Sequence, residues 1–503
     1  MTRAASAAYT VPLFLRGQVI VDDLVSFGTR DGAAQFQAPD MAKYVERLPL
    51  KNPGEMADLY DVGFDEILDV LEALGDALDF DTNAHLQEAY EASLLANVLP
   101  AEMMRNSYRV LRPIFSRQHV LEVADTQVGL DYLNGWVPQK LSDGRDMRVR
   151  AFGSRVLHIP AGNGGLVSAV TILRSVITRC DTIIKAPSND PLTAIAIART
   201  LADVAPGHPI TRHLAVGYWK GGDLAVEDVL YQPRYVEKIV AWGGLASVKH
   251  VTRYIQPGLE LIALDPKRSA TIIGAEAFTN EATMREVAQR AAIDIGVANQ
   301  EGCANARVIY ALSGTDDAGL ANANKLGEMI YRELIELPQF ISTPPLYPNR
   351  DLFEHLETSR MTEDFYRVFG GEQREGAIVV SQFDEPVDYA PMLSSRVANI
   401  VPVDNIEQVT RAVNAYTQTI GIYPESLKHQ LRDILPLFGA QRLTSLGYAC
   451  SVAIAMPQDA IEPIRRMCKW IVEEECDPEV VIPLWRLGQR HDPDLTPASR
   501  ISQ

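Results

Sequence analysis

The 503-residue chain has few cysteines, and that scarcity excludes several classes of protein. Its five cysteines are scattered, odd in number and never in C-x-x-C spacing. We therefore expect neither a disulfide framework nor a cysteine-based metal site. This usage suits a reduced compartment, and it predicts a cytoplasmic protein without a bound metal.

Long hydrophobic segments are also lacking. The longest uncharged run, 156–173, is broken by one proline and three glycines, so it is not a membrane span. The apolar stretch near the N-terminus is short and is interrupted by Pro12 and Arg16. We predict no secretion signal and no stable membrane insertion.

An excess of basic residues is absent as well. Lys and Arg number 47 against 65 Asp and Glu, which gives a formal net charge of −18. That charge disfavours nucleic acid as a partner. The rest is ordinary for a globular chain, with 47% hydrophobic and 22% charged residues, and the length predicts two or three domains.

The apolar spacing divides the chain into four parts. Residues 1–120 begin with a strand pair, Val11–Leu15 and Gln18–Val21, and continue from about residue 53 as a helical layer, since apolar residues recur at three- and four-residue steps. Residues 121–274 alternate short apolar runs with helical ones, which predicts a parallel sheet covered by helices on both faces, that is, a dinucleotide-binding domain.

Residues 275–445 form a second unit, which we predict to carry the catalytic residues. Residues 446–503 are predicted to return to the first domain and to join subunits. Within them we expect a strand at Ala449–Ala455, a helix at Ile461–Glu474 and a polar tail at Leu487–Gln503.

Loops that follow parallel strands are where such sheets bind ligands. The first, Pro160-Ala161-Gly162-Asn163-Gly164-Gly165, is glycine-rich and precedes a helix whose free N–H groups suit an anion. It is not G-x-G-x-x-G, so taken alone it is equally a tight strand-to-helix turn. Lys185 ends the next strand and is either a cofactor ligand or simply exposed. Trp242-Gly243-Gly244 couples a third strand to a helix N-terminus suited to pyrophosphate.

Cys303 stands in the segment Asn299–Tyr310, where small and polar residues lead into an apolar strand. A thiol at such a turn is open to substrate while the sheet holds its backbone, and adjacent N–H groups can face an oxyanion. The alternative is a small buried apolar residue, as most free cysteines are.

Together these segments resemble the aldehyde dehydrogenase superfamily and, within it, the bioluminescence-type acyl-CoA (long-chain fatty acyl) reductases. The resemblance covers about residues 120–475 and implies an α/β fold of two doubly wound parallel-sheet domains, one for the cofactor and one for catalysis, with a small oligomerisation element. It implies Cys303 as nucleophile and Asn163 as oxyanion donor. The cofactor-binding positions that it implies are Pro160, Ala161, Gly162, Lys185, Ser188, Trp242, Gly243, Gly244 and Pro391.

Two departures from the superfamily pattern are informative. Many NAD-using members carry a glutamate where this chain has Ser188, and without that carboxylate the site tolerates a 2′-phosphate, so we predict NADPH (NADP) as cofactor. Hydrolytic members carry a water-activating glutamate at a position that falls near Ala263. Glu260 or Asp265 would restore an acid if the register were shifted.

The predicted function is the NADPH-dependent reduction of an acyl thioester, bound to CoA or a carrier protein, to the aldehyde through an acyl-cysteine. The alternatives are an oxidative NAD(P)-dependent aldehyde dehydrogenase, CoA-acylating or hydrolytic, and a non-catalytic subunit of an acyl-transfer complex. The resemblance also implies a homodimer or homotetramer, with acyl-transferase or acyl-activating enzymes as possible partners.

Overall fold

A computed structural model describes residues 9–29 and 34–486 of the chain. In this part the strands form two seven-stranded sheets and two three-stranded sheets, with helices packed against them. The predicted α/β class is confirmed. None of the helices among the described residues is long and apolar enough to cross a membrane.

Five short strands open the described chain: β1 (Tyr9–Thr10), β2 (Leu13–Leu15), β3 (Gln18–Ile20), β4 (Leu24–Gly28) and β5 (Gln35–Pro39). The predicted strand pair is present as the antiparallel β2–β3 hairpin. Arg16 (φ +53°) and Gly17 (φ +90°) form its two-residue turn, since both central residues need positive φ there. The hairpin extends one edge of the first large sheet.

The helical layer that follows was predicted from its apolar spacing, and the structure confirms it. Its buried faces, such as Ile67, Leu71 and Leu74, share one core with the helices of the next domain. The helices are α1 (Asp58–Asp61), α2 (Phe64–Ala77), α3 (Ala84–Ala96), α4 (Ala101–Arg109), α5 (Arg117–Gln127) and α6 (Leu130–Asn134).

The first large sheet alternates strands and helices as expected. Its order β12-β11-β8-β9-β10-β2-β3 places β8 to β12 parallel to one another, so their carboxyl ends meet at one edge. The elements of this region are β6 (Val137–Lys140), β7 (Asp146–Gly153), β8 (Arg155–Ile159), α7 (Gly165–Ile177), β9 (Asp181–Lys185), α8 (Thr193–Val204), α9 (Pro209–Arg212), β10 (Leu214–Gly217), α10 (Leu224–Leu230), β11 (Lys238–Trp242), α11 (Leu245–Thr252) and β12 (Glu260–Leu264).

The second large sheet has the order β15-β16-β17-β14-β13-β18-β19, parallel except for β15. The pairing of β13 with β14 and β18 shows that the chain enters this sheet after residues 265–267. The domain boundary predicted at residue 274 therefore lies too far along the chain. Its elements are β13 (Arg268–Ile273), α12 (Glu281–Gly296), β14 (Ala306–Ala311), α13 (Asp317–Ile335), α14 (Arg350–Arg360), β15 (Tyr366–Gly370), β16 (Ala377–Ser381), β17 (Val397–Pro402), α15 (Ile406–Thr410), β18 (Thr417–Tyr423), α16 (Glu425–Leu431), α17 (Leu435–Phe438) and β19 (Arg442–Ser445).

The C-terminal predictions were partly wrong. Ala449–Ala455 is not a strand, because its backbone is held by a side chain instead of a neighbouring strand: Arg442 donates hydrogen bonds to the carbonyls of Ala449 (2.6 Å) and Ser451 (2.9 Å). The predicted helix Ile461–Glu474 is a short helix, α18 (Pro463–Met467), followed by strand β20 (Cys468–Glu475).

Strand β20 pairs antiparallel with β7 over eight residues, and Arg148 pairs with Glu473 across it at 3.1 Å. That pairing overrides the helix-favouring charged residues of the segment. The small sheet β20-β7-β6 stands apart from the two large ones. The predicted tail lies outside the described residues, and the joining of subunits stays a prediction.

Candidate active site

One cleft of about 650 Å³ lies where the carboxyl ends of β8, β9, β11 and β12 face the segment before β14. It is lined by every predicted site residue except Pro391: Pro160, Ala161, Gly162, Asn163, Lys185, Ser188, Trp242, Gly243, Gly244 and Cys303. Pro391 stands on an exposed turn, and its carbonyl accepts a hydrogen bond from Arg268 at 2.6 Å. The structure does not bring Pro391 to the cleft.

The loop that carries Asn163 is fixed by hydrogen bonds to the residue before it. The side-chain amides of Asn97 (3.2 Å) and Asn189 (2.7 Å) both donate to the Gly162 carbonyl. A Cβ at position 162 would lie 2.1 Å from Asn189 Oδ1, so only glycine fits. Gly164 has φ +147°, which also requires glycine. Asn163 itself stays exposed in the cleft.

The backbone just before Cys303 is strained. Ala298, Asn299 and Gln300 take φ values of +50°, +52° and +67°, three left-handed residues in succession. Such conformations cost of order 1–3 kcal/mol each and persist where the surroundings hold them. Here the buried Gln300 side chain donates to the carbonyls of Ala306 (2.8 Å) and Val397 (3.0 Å) and accepts from the Val397 N–H. The strain sets the direction in which the chain enters the nucleophile turn.

Two more side chains lock the turn itself. Asn305 accepts a hydrogen bond from the Gly302 N–H at 2.9 Å and donates to the carbonyls of α12, which ends below it. Arg307 is largely surrounded by protein and donates to the Asn305 carbonyl (2.9 Å) and the Gln300 carbonyl (3.2 Å). Ser269 donates to the Cys303 carbonyl at 2.7 Å, which ties the turn to β13.

Cys303 is half-buried and lines the same cleft as Asn163. The Asn163 amide donates to the Glu301 carbonyl at a long 3.4 Å, and so reaches the segment that holds the thiol. Among the described residues no other residue accepts a hydrogen bond from the Cys303 N–H. The Asn163 amide and the Cys303 backbone N–H are donors of the kind that can stabilise an oxyanion formed at this thiol.

The thiol of Cys303 is not strongly activated in this state. Burial and the nearby Asp459 carboxylate raise its pKa, while a hydrogen bond from the Gln418 side chain and the Arg307 charge lower it. Sequence analysis did not identify the cation that lowers this pKa. It is Arg307, which stands in the same segment as Cys303. Desolvation prevails, so the pKa lies above the usual range for a thiol.

Lys185 is a half-buried cation that lacks a carboxylate within salt-bridge distance in the described chain. Its ammonium lies 5.9 Å from the Tyr218 ring and 5.7 Å from the Trp219 ring. Burial lowers the pKa of Lys185 to about 8, and Glu227 opposes that shift only in part. Ser188 lies in the loop that follows. A cation in a cleft that has no salt-bridge partner among the described residues fits a phosphate.

Two helices begin at the cleft without side-chain caps. α7 follows Gly164 and α11 follows Gly244, and neither N-cap residue supplies a side-chain hydrogen bond. Their first backbone N–H groups are therefore open to a ligand. With Lys185 they form the face on which the predicted dinucleotide would lie.

Of the two acids Glu260 and Asp265, only Asp265 lines the cleft. Glu260 lies at the amino end of β12 and is paired with Lys238 (2.8 Å) and Arg466 (2.7 Å); burial raises its pKa, but these two partners bring it below the usual range. Asp265 follows the carboxyl end of the same strand and lines the cleft. Ala263 offers no acid.

Besides Arg307, sequence analysis missed three residues around this site, namely Asp459, Gln418 and Glu301. Asp459 reaches it from the C-terminal segment and is hydrogen-bonded to Gln418 on β18, a contact that no local pattern indicates. Glu301, two residues before Cys303, lines the cleft. Its position within the nucleophile segment was the available signal. No group of three or more metal-ligating side chains is found in residues 9–29 and 34–486.

Comparisons with known proteins identify a matching family and similar chains. The family described as "Acyl-CoA reductase (LuxC)" matches residues 59–470. A long-chain acyl-protein thioester reductase from Photorhabdus laumondii subsp. laumondii is 30% identical over 370 residues, which is 71% of either chain. One from Vibrio harveyi is 26% identical over 365 residues, covering 71% of this chain and 72% of the relative.

Solved structures share the fold at low identity. An NADP-dependent glyceraldehyde-3-phosphate dehydrogenase from Bacillus halodurans C-125 superposes with a TM-score of 0.67 at 13% identity, over 93% of this chain and 99% of the other. Lactaldehyde dehydrogenase from Escherichia coli gives 0.68 at 15% identity, over 93% and 100%. These likenesses establish an aldehyde-dehydrogenase-like fold.

Proposed function

The chain belongs to the acyl-CoA reductase (LuxC) family, and from that premise we propose that it reduces an acyl thioester to the aldehyde with NADPH, through an acyl group on Cys303. The observation that carries the proposal is the cleft, which is lined by Cys303, Asn163 and Lys185 and adjoins the two uncapped helix starts. The similarity to long-chain acyl-protein thioester reductases supports a fatty acyl group on CoA or a carrier protein.

In the first half of the reaction the Cys303 thiolate attacks the thioester carbonyl. The oxyanion that forms is held by the Asn163 amide and the Cys303 N–H, and the carrier leaves as its thiol. A bound NADPH would supply the hydride that reduces the acyl group. The oxyanion of the resulting thiohemiacetal on Cys303 is stabilised by the same two donors. Its collapse releases the aldehyde and the Cys303 thiolate.

Two features favour reduction over hydrolysis of the acyl-cysteine. By the resemblance, the position of the water-activating glutamate of hydrolytic aldehyde dehydrogenases falls near Ala263, and Glu260 is paired away from the cleft. Lys185 supports NADPH, because the 2′-phosphate would supply a salt-bridge partner that this half-buried cation lacks in the described chain. Ser188 adds no competing carboxylate.

The test mixes the purified protein with acyl-CoAs of about two to sixteen carbons, the span from acetyl to fatty acyl groups, and follows NADPH loss at 340 nm together with aldehyde formation. We expect matched consumption and production, and we expect Cys303→Ala to abolish both and to take up no labelled acyl group. Stoichiometric labelling of Cys303→Ala would place the nucleophile elsewhere. NADP reduction on adding aldehyde, without the reverse reaction, would favour the oxidative alternative.

A further inference from the structure

Glu301 is an exposed residue two positions before the nucleophile, and its carboxyl has no partner among the described residues. Its side chain lines the cleft together with Cys303 and Asn163. Within residues 9–29 and 34–486 it accepts no hydrogen bond and forms no ion pair. Only its backbone is tied: the N–H donates to the Ala298 carbonyl at 3.0 Å, and the carbonyl accepts from Asn163. The backbone of Glu301 is thus fixed, and its carboxyl is available to a molecule that binds in the cleft.

The charges around Glu301 come from three elements. Arg307 lies on β14, Asp265 and Lys267 follow β12, and Cys303 is on the same turn; all four line the cleft. Asp265 and Lys267 face each other at 3.7 Å. Desolvation raises the pKa of the Glu301 carboxyl, and Arg307 opposes that shift. The pKa of this carboxyl therefore lies above the usual range for glutamate, although the residue is exposed in the cleft.

The proposed reaction creates a need for such a donor. Attack on an acyl-CoA or carrier thioester expels an alkyl thiolate, whose conjugate thiol has a pKa of about 8.5 by analogy with cysteine. Less basic thiolates leave faster, so protonation as the bond breaks assists departure. Of the described carboxyls near Cys303, Asp459 is bound to Gln418 and Asp265 faces Lys267, which leaves Glu301.

We propose that Glu301 is the general acid for the leaving thiol, an assignment that rests on the function proposed above. The Cys303 sulfur forms a bond to the acyl carbon while the bond from that carbon to the carrier sulfur breaks. The carrier sulfur takes the electron pair of the broken bond and the proton of the Glu301 carboxyl. The products are acyl-Cys303, the free carrier thiol and the Glu301 carboxylate, which is reprotonated from solvent.

The experiment compares two leaving groups on the same acyl chain. Single-turnover acylation is measured without NADPH, by thiol release, using octanoyl-CoA and the octanoyl thioester of 5-thio-2-nitrobenzoate, whose thiolate is far less basic. Variants are Glu301→Gln, Asp265→Asn as a second carboxyl of the cleft, and Glu336→Gln as an exposed control beyond α13. We expect Glu301→Gln to slow acylation by the CoA thioester about 10²-fold or more and to leave the aryl thioester unaffected.

The aryl thioester also reports whether the variant is folded and its thiol competent. Equal slowing of both thioesters, no slowing of either, or a leaving-group effect confined to Asp265→Asn would each overturn the assignment of Glu301 alone. Failure of the unmodified protein to release thiol from either thioester would overturn the proposed function, and the assignment with it.

Discussion

Lys185 gives the proposed cofactor preference a pH dependence that can be measured. Its pKa of about 8 results from burial, and in the described chain it has two aromatic rings beside it in place of a carboxylate. A 2′-phosphate interacts with the charged form of the lysine. NADH lacks that phosphate, so its binding gains less from the charge.

The magnitude follows from the titration. Because the pKa is lowered, the ammonium is charged below about pH 8 and loses its proton above it. The charged fraction falls from about 0.9 at pH 7 to about 0.1 at pH 9, so the ratio of kcat/KM for NADPH to that for NADH should fall about tenfold between them. Ionisation of Cys303 affects both cofactors equally and cancels in the ratio.

The assay is initial-rate kinetics with one acyl thioester and both cofactors at each pH. Lys185→Met should give a low ratio at every pH. Lys185→Arg should keep the ratio high and flat to pH 9, since a guanidinium is not deprotonated there. A flat ratio in the unmodified protein, or an unchanged tenfold fall in Lys185→Met, would refute the reasoning.

Two further predictions concern the nucleophile. Asn163→Ala should lower kcat by about 10²–10³, the usual cost of one oxyanion donor, while iodoacetamide alkylates Cys303 at the normal rate; undiminished kcat would remove Asn163 from the oxyanion site. Asp459→Asn should shift the pH profile of that alkylation toward lower pH, because the Asp459 carboxylate raises the pKa of the Cys303 thiol, and a profile that stays in place or moves to higher pH would contradict this.

Local patterns predicted most of the fold. The strand–helix alternation before residue 264 and the helical layer at α2 came from apolar spacing, which local burial dictates. The wrong predictions fall where contacts with residues outside the segment determine its structure. The segment of β20 has the sequence pattern of a helix, but it pairs with β7 as a strand. Ala449–Ala455 has the pattern of a strand, but Arg442 binds the Ala449 carbonyl.

The site shows the same division. Asn163, Lys185 and Cys303 could be predicted because each stands in a short segment with its own chemistry, and the cleft brings them together. The contact between Gln418 and Asp459 joins residues 41 positions apart, and the two lie 115 or more positions after Cys303, so no spacing indicates it. The lack of a side-chain partner for Glu301 in the described chain depends on which residues surround it in the fold, and this cannot be predicted from the sequence.

Acyl-Cys303 must not be hydrolysed before it is reduced. Hydrolysis depends on the protonation state of the carboxyls in the cleft as well as on whether a carboxyl is present at the position of the water-activating base. A carboxylate can activate water, whereas a neutral carboxyl can only donate a proton. Desolvation raises the pKa of the Glu301 carboxyl, and the Asp459 carboxylate accepts a hydrogen bond from Gln418. If Glu301 is neutral when the carrier leaves, the proton that assists acylation is the same proton that keeps Glu301 from acting as a hydrolytic base. Acyl-Cys303 formed from the aryl thioester at high pH, where Glu301 has lost its proton, should therefore hydrolyse faster in the unmodified protein than in Glu301→Gln.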